Sequence, residues 1–188
     1  MILSTMKEPY RVEGKKTMAF EIAEQLKWVL PDVIVYPTGG GTGIVGMWKA
    51  FDELEELGWI SGKKPRLVSV QSSGCAPVVK AIEEGKDACD VWGSAHTIAA
   101  GLEVPKAYGD YLILQALRSS RGTAVSVSDR EILESMKQFA KREGLWVCPE
   151  GAATRACLPR LIENGLIDKQ ETVLLYNTGL GILYPELV

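Results

Sequence analysis

The chain has 188 residues, 46% of them hydrophobic and 24% charged, with a net charge of −3. That composition excludes a disordered or fibrous class and, at this length, buries roughly 70% of the unfolded surface in one good core, so residues 1–188 read as one domain. A mildly acidic chain without clustered Lys and Arg excludes a nucleic-acid backbone and an anionic membrane surface as partners.

In chain order, short β-rich runs alternate with helical patterns. The start, Met1-Ile2-Leu3-Ser4, is too short an apolar run for a signal peptide or a membrane span, so a cytoplasmic location is expected. A helix is predicted over 17–28, where Met18, Ile22, Leu26 and Val29 form a stripe and Pro31 ends it. Val33-Ile34-Val35-Tyr36 is a continuous apolar run suited to a parallel strand covered on both faces. A helix over 45–57 follows, with Gly58 as its C-cap, then a strand over 67–71 and helices over 76–84 and 110–119. Thr123-Ala124-Val125-Ser126-Val127 reads as a strand, and Ser128 with Glu131 forms a capping box for a helix running to Arg142. Residues 146–148 read as a short strand, 152–164 as a helix and 172–176 as the last strand. Strands separated by helices imply an α/β fold: a parallel, twisted sheet with helices on both faces.

Cys75, Cys89, Cys148 and Cys157 contain no C-x-x-C pair and are expected to be buried thiols in a reducing compartment. With His96 the single histidine, a zinc site or a Ser-His-Asp triad would have to be centred on it.

Tyr36-Pro37-Thr38-Gly39-Gly40-Gly41-Thr42-Gly43-Ile44-Val45-Gly46 joins the end of a predicted strand to the start of a helix, where ligands bind in open α/β sheets. A tight turn needs one or two glycines, whereas five of the eight positions 39–46 are glycine. Backbone amides without Cβ atoms close around phosphate oxygens, and the helix dipole adds to the attraction. The stretch Gly41-Thr42-Gly43-Ile44-Val45-Gly46 also fits a dinucleotide fingerprint, but the next strand ends in Gln71-Ser72-Ser73 rather than in the acid that holds a ribose. No Lys follows the glycines before Lys49, which disfavours an ATP-type loop. At the end of the last strand lies Tyr176-Asn177-Thr178-Gly179-Leu180-Gly181. It reads either as an ordinary turn or as a hydroxyl, Thr178, placed to hydrogen-bond a ring nitrogen without forcing its protonation.

Together with Thr97-Ile98-Ala99-Ala100-Gly101-Leu102-Glu103-Val104-Pro105 and Cys148-Pro149-Glu150-Gly151-Ala152-Ala153, these two segments resemble the C-terminal half of a threonine synthase. That is a fold-type II pyridoxal-phosphate enzyme of the tryptophan synthase β-subunit-like superfamily. The resemblance runs from about Lys7 to the end. It implies pyridoxal phosphate as cofactor, with its phosphate on Gly39, Gly40, Gly41, Thr42 and Gly43 and its pyridine nitrogen on Thr178. It also implies the conversion of O-phosphohomoserine, an amino-acid substrate, and water to threonine and phosphate. Pro149-Glu150-Gly151-Ala152 is similar to a turn that opens a helix beside the cofactor, and equally to a plain helix start with a first-turn acid.

Family members hold the cofactor on a lysine of their N-terminal half, and no lysine here has that context, so no catalytic residue is assigned. Lys15 and Lys16 lie in a charged stretch and read as solvated. Ile182 and Leu183 stand where many relatives carry a Lys. The chain is therefore expected to be half of an enzyme, working as a homodimer or with a complementary N-terminal half. Half of another fold-type II lyase or dehydratase, or a non-catalytic small-molecule or nucleotide-binding domain, are the alternatives.

Overall fold

The computed structural model describes residues 5–187; the apolar start at Met1 to Leu3 lies outside them. Four strands, β1 (Val33–Pro37), β2 (Arg66–Ser72), β3 (Thr123–Val127) and β4 (Val173–Leu175), form one sheet in the order β3-β2-β1-β4. Every pairing is parallel, with Val33 opposite both Arg66 and Val173, and Val68 opposite Thr123. Eight helices accompany it among the described residues: α1 (Tyr10–Lys15), α2 (Thr17–Gln25), α3 (Thr42–Glu56), α4 (Pro77–Glu83), α5 (Asp110–Ser119), α6 (Asp129–Glu143), α7 (Pro149–Ala156) and α8 (Leu158–Glu163).

Alternation along the strands divides the core in two. Ile34, Tyr36 and Leu67 pack with Ile22, Phe51, Met47 and Leu114 of α2, α3 and α5. Val33, Val35, Val68 and Val70 pack on the opposite face with Ile132, Met136, Ala153 and Leu161 of α6, α7 and α8. The chain steps from β1 to β2 to β3 in one direction, then returns to the far side of β1 as β4. Because parallel crossovers are right-handed, that reversal moves the connecting helices to the other face. The sheet is thus covered on both sides, as its apolar strands require.

Several elements differ from the sequence reading, each for a local reason. The helix expected over 17–28 ends at Gln25, because Lys27 and Trp28 take positive φ and the Trp28 amide turns back to the Ala23 carbonyl at 2.6 Å. The helix expected from 45 begins at Thr42, so Gly43 and Gly46 are helical rather than loop. Residues 146–148 form no strand: Val147 makes one isolated antiparallel bridge to Leu180, and Cys148 already caps α7. The helix expected over 152–164 is two, starting at Pro149 and breaking at Cys157, since Pro159 has no amide to donate to the preceding turn. β4 spans three residues rather than five. Helix α1 carried no apolar stripe in the sequence; it has no buried residue, though its Val12 rests on the core.

The predicted cap of α6 is present in full. Ser128 Oγ accepts from the Glu131 amide at 3.3 Å, and Glu131 accepts from the Ser128 amide at 2.7 Å. The four cysteines are buried free thiols, no cluster of described residues suits a metal ion, and no described helix is long and apolar enough to cross a membrane. Ser128→Ala is expected to lower stability by about 1 kcal/mol, read as a lower urea midpoint with unchanged slope.

Candidate active site

β1 and β4 are the neighbours at which the strand order reverses, and the loops leaving their carboxyl ends diverge around a crevice. A cavity of about 370 Å³ opens there. One wall is Gly39, Gly40, Gly41, Thr42 and Gly43; the other carries Thr178 and Gly179, and Lys15, Cys148, Glu150, Gly101 and Tyr184 are among the other residues that line it. All six residues singled out in the sequence therefore meet at one place.

The glycine loop is held from behind. The Thr38 amide donates to the Val70 carbonyl at 2.9 Å, its hydroxyl to the Tyr36 carbonyl at 3.1 Å, and its own carbonyl accepts from Gln71 Nε2 at 3.0 Å. Gln71 Oε1 also accepts from the Val78 amide at 2.9 Å. Fully buried and hydrogen-bonded through both its carbonyl oxygen and its amide nitrogen, Gln71 is turned into the protein rather than towards a ribose, which disfavours the dinucleotide reading. Close packing explains much of the glycine density: a Cβ at Gly39 would overlap the Gly101 carbonyl, and one at Gly43 would enter the Tyr36 ring. Gly41, at φ 76°, is the left-handed cap of α3. The amides of residues 39–43 donate to no other described residue, nor does the Thr42 hydroxyl. Orphan amides at the N-terminus of a fifteen-residue helix are a ready site for a phosphate.

The opposite wall is built by α7. Cys148 caps it, its sulfur accepting from the Gly151 amide at 3.3 Å and lying 3.6 Å from Thr178 Oγ1. Burial, partly offset by the Gly151 amide, raises the Cys148 pKa, so the thiol stays protonated. Glu150 is 7% exposed; its Oε1 accepts from the Gly101 amide at 2.8 Å and from the Tyr184 hydroxyl at 2.5 Å. One carboxylate thus ties the 3-10 turn Ala100–Leu102, α7 and the last turns of the chain around the cavity. Burial first and Glu150 second raise the Tyr184 pKa.

The pattern of the pyridoxal-phosphate dependent enzymes matches residues 1–179. The chain belongs to that family. Pyridoxal phosphate is the cofactor of such enzymes. Threonine synthase from Methanosarcina acetivorans is 39% identical over 180 residues, covering 96% of this chain and 44% of the relative. Threonine synthase from Methanocaldococcus jannaschii is 36% identical over 178 residues, covering 95% and 44%. The chain spans less than half the length of these curated relatives. The processed form of threonine deaminase isoform 2 from Solanum lycopersicum shares the fold, with a TM-score of 0.74 and 22% identity over 96% of this chain and 50% of that one. Maize serine racemase does so at 0.69 and 22%, over 95% and 52%.

One reading of a cationic group changes. Lys16 is not solvated: it is part-buried and bonded to Glu53 at 2.8 Å and Glu13 at 2.5 Å, because α1 brings it onto α3. Lys15 is exposed and lines the cavity. His96 is exposed on a loop and does not line the cavity. The residues missed are Lys15, Tyr36 and Tyr184. No motif marks Tyr184; Tyr36 opens the glycine motif at the strand end, but its ring was given no role.

Tyr36 tests the packing behind the loop. Its ring lies 5.2 Å from that of Tyr176, and burial, followed by the charge of Tyr176, pushes its phenol up to about 12 from 10.0. A raised folded-state pKa gives stability that is complete below pH 10.0 and is lost as pH rises towards about 12. Among the phenols that titrate late in the phenolate absorbance of the wild type, one is expected to be missing in Tyr36→Phe. The stability of wild type relative to that variant is expected to fall across the same pH interval.

Proposed function

We propose that this chain is the cofactor-phosphate half of a threonine synthase, which converts O-phosphohomoserine and water to threonine and phosphate. The observation that carries the reading is the convergence, in one cavity, of orphan amides at the α3 N-terminus with a hydroxyl on the loop after β4. The similarity of 36–39% to threonine synthases supports the reaction.

In this reading the amides of Gly39, Gly40, Gly41, Thr42 and Gly43 hold the phosphate of pyridoxal phosphate, and Thr178 Oγ1 meets the pyridine nitrogen. Their chemistry fits the group: amide donors for a dianion, and a neutral hydroxyl for a ring nitrogen that need not be protonated. Bound there, the cofactor supplies an electron sink for carbanions. Cys148, protonated and beside Thr178, orients that hydroxyl. Glu150 and Tyr184 close the wall against water. The lysine that carries the cofactor belongs to the part of the enzyme outside this sequence. Leu180, Ile182 and Leu183, all more than half exposed beside the cavity, form the face covered by that part or by a second copy of the chain.

Calorimetry tests the assignment. The chain is expected to bind pyridoxal phosphate more tightly than pyridoxal. Thr178→Val removes one hydrogen bond of about 1 kcal/mol and is expected to weaken pyridoxal phosphate about fivefold while leaving inorganic phosphate unaffected. Equal affinity for pyridoxal and pyridoxal phosphate would refute the phosphate loop. Phosphate release from O-phosphohomoserine is expected only when a polypeptide bearing the cofactor lysine is supplied; release by the 188-residue chain alone would overturn the half-enzyme reading.

A further inference from the structure

Helix α1 brings Lys15 and, at its C-cap, Lys16 near the start of α3, which carries Lys49 itself, and the structure treats the three lysines differently. Gly46 of α3 faces α1 so closely that a Cβ there would come within 2.8 Å of Lys15 Cβ and 3.0 Å of the Val12 carbonyl oxygen. This contact seats α1 on the first turns of α3. Lys16 turns to Glu13 and Glu53, and Lys49 also pairs with Glu13. The nearby carboxylates are thereby occupied. Lys15, the last residue of α1, pairs with no carboxylate among the described residues and lines the same cavity as Thr42 and Gly43.

The charge balance of the cavity gives Lys15 a task. Among its described lining residues Lys15 is the one cation, and Glu150 is the one carboxylate. A helix N-terminus contributes about half a positive charge, which leaves a phosphate dianion well short of neutralised, with Glu150 in the same cavity. A lysine supplies a full point charge on a flexible stem, which reaches a phosphate without demanding a fixed bidentate geometry. We propose that Lys15 is a phosphate-binding residue of this cavity and the source of its countercharge. The inference rests on the reading above and adds to it a residue outside the glycine loop. Two phosphates meet the same chemistry, that of the cofactor and that of the substrate.

The experiment measures dissociation constants of inorganic phosphate, pyridoxal phosphate and pyridoxal for wild type, Lys15→Gln, Lys15→Arg and the remote control Lys141→Gln, all confirmed folded by circular dichroism. A pair open to solvent is worth up to about 1 kcal/mol, or about fivefold. Lys15→Gln is expected to weaken inorganic phosphate about three- to fivefold at low ionic strength and to flatten its salt dependence. Lys15→Arg is expected to restore both, with pyridoxal and the Lys141 control unchanged. If the cofactor is the source, pyridoxal phosphate weakens by the same factor. If the substrate is the source, pyridoxal phosphate binds as in wild type and O-phosphohomoserine weakens on chain already loaded with it. Either pattern supports the role. Wild-type affinity of Lys15→Gln for all three phosphate ligands overturns it while leaving the glycine-loop reading intact. A wild-type chain that binds neither phosphate nor pyridoxal phosphate overturns both.

Discussion

Everything about the cavity depends on the reversal of strand order between β1 and β4. Right-handed crossovers oblige a chain that turns back across a parallel sheet to change faces, so the loops leaving β1 and its edge neighbour β4 diverge. The gap they leave cannot be filled by either connection. Into it point the N-terminus of α3 from one side and the loop after β4 from the other.

Close backbone approaches then set the shape of the gap. Gly39 lies against the Gly101 carbonyl, Gly43 against the Tyr36 ring, and Gly151 against the Asn177 side chain. Two of these contacts bring together segments distant in sequence, the Gly43–Tyr36 contact folds the loop back on the strand it leaves, and each excludes a side chain from the cavity wall. The glycines therefore do two things at once: they pack the loop against its support and leave its amides uncovered. Glu150 extends the same logic with charge-assisted hydrogen bonds, since its buried carboxylate has partners on two separate segments.

Much of this was legible in the chain. The continuous β-branched runs announced a sheet covered on both faces, the Ser128–Glu131 box marked the start of α6, and the glycine cluster after a strand pointed to the loop that lines the cavity. Such signals are local: periodicity, capping and turn chemistry act over a few residues, and a reader of the sequence can apply them directly. Where they misled, a short-range conflict decided the outcome. Pro159 divided a helix that looked continuous, and Trp146 to Cys148, apolar enough for a strand, gave way to the cap of α7.

The sequence by itself determined the class of fold, the alternation of its elements and the six residues that converge on the cavity. It did so because burial on two faces and amide-rich turns each demand particular residue types at short spacing. Only the tertiary structure decided the fates of Lys15 and Lys16. They are adjacent, chemically identical and carried on a helix with no apolar stripe; packing against Gly46 turned one towards Glu53 and left the other at the cavity. The same holds for Glu150 and Tyr184, joined across 34 residues by a single hydrogen bond. Electrostatic partners chosen through space leave no periodic mark on the chain.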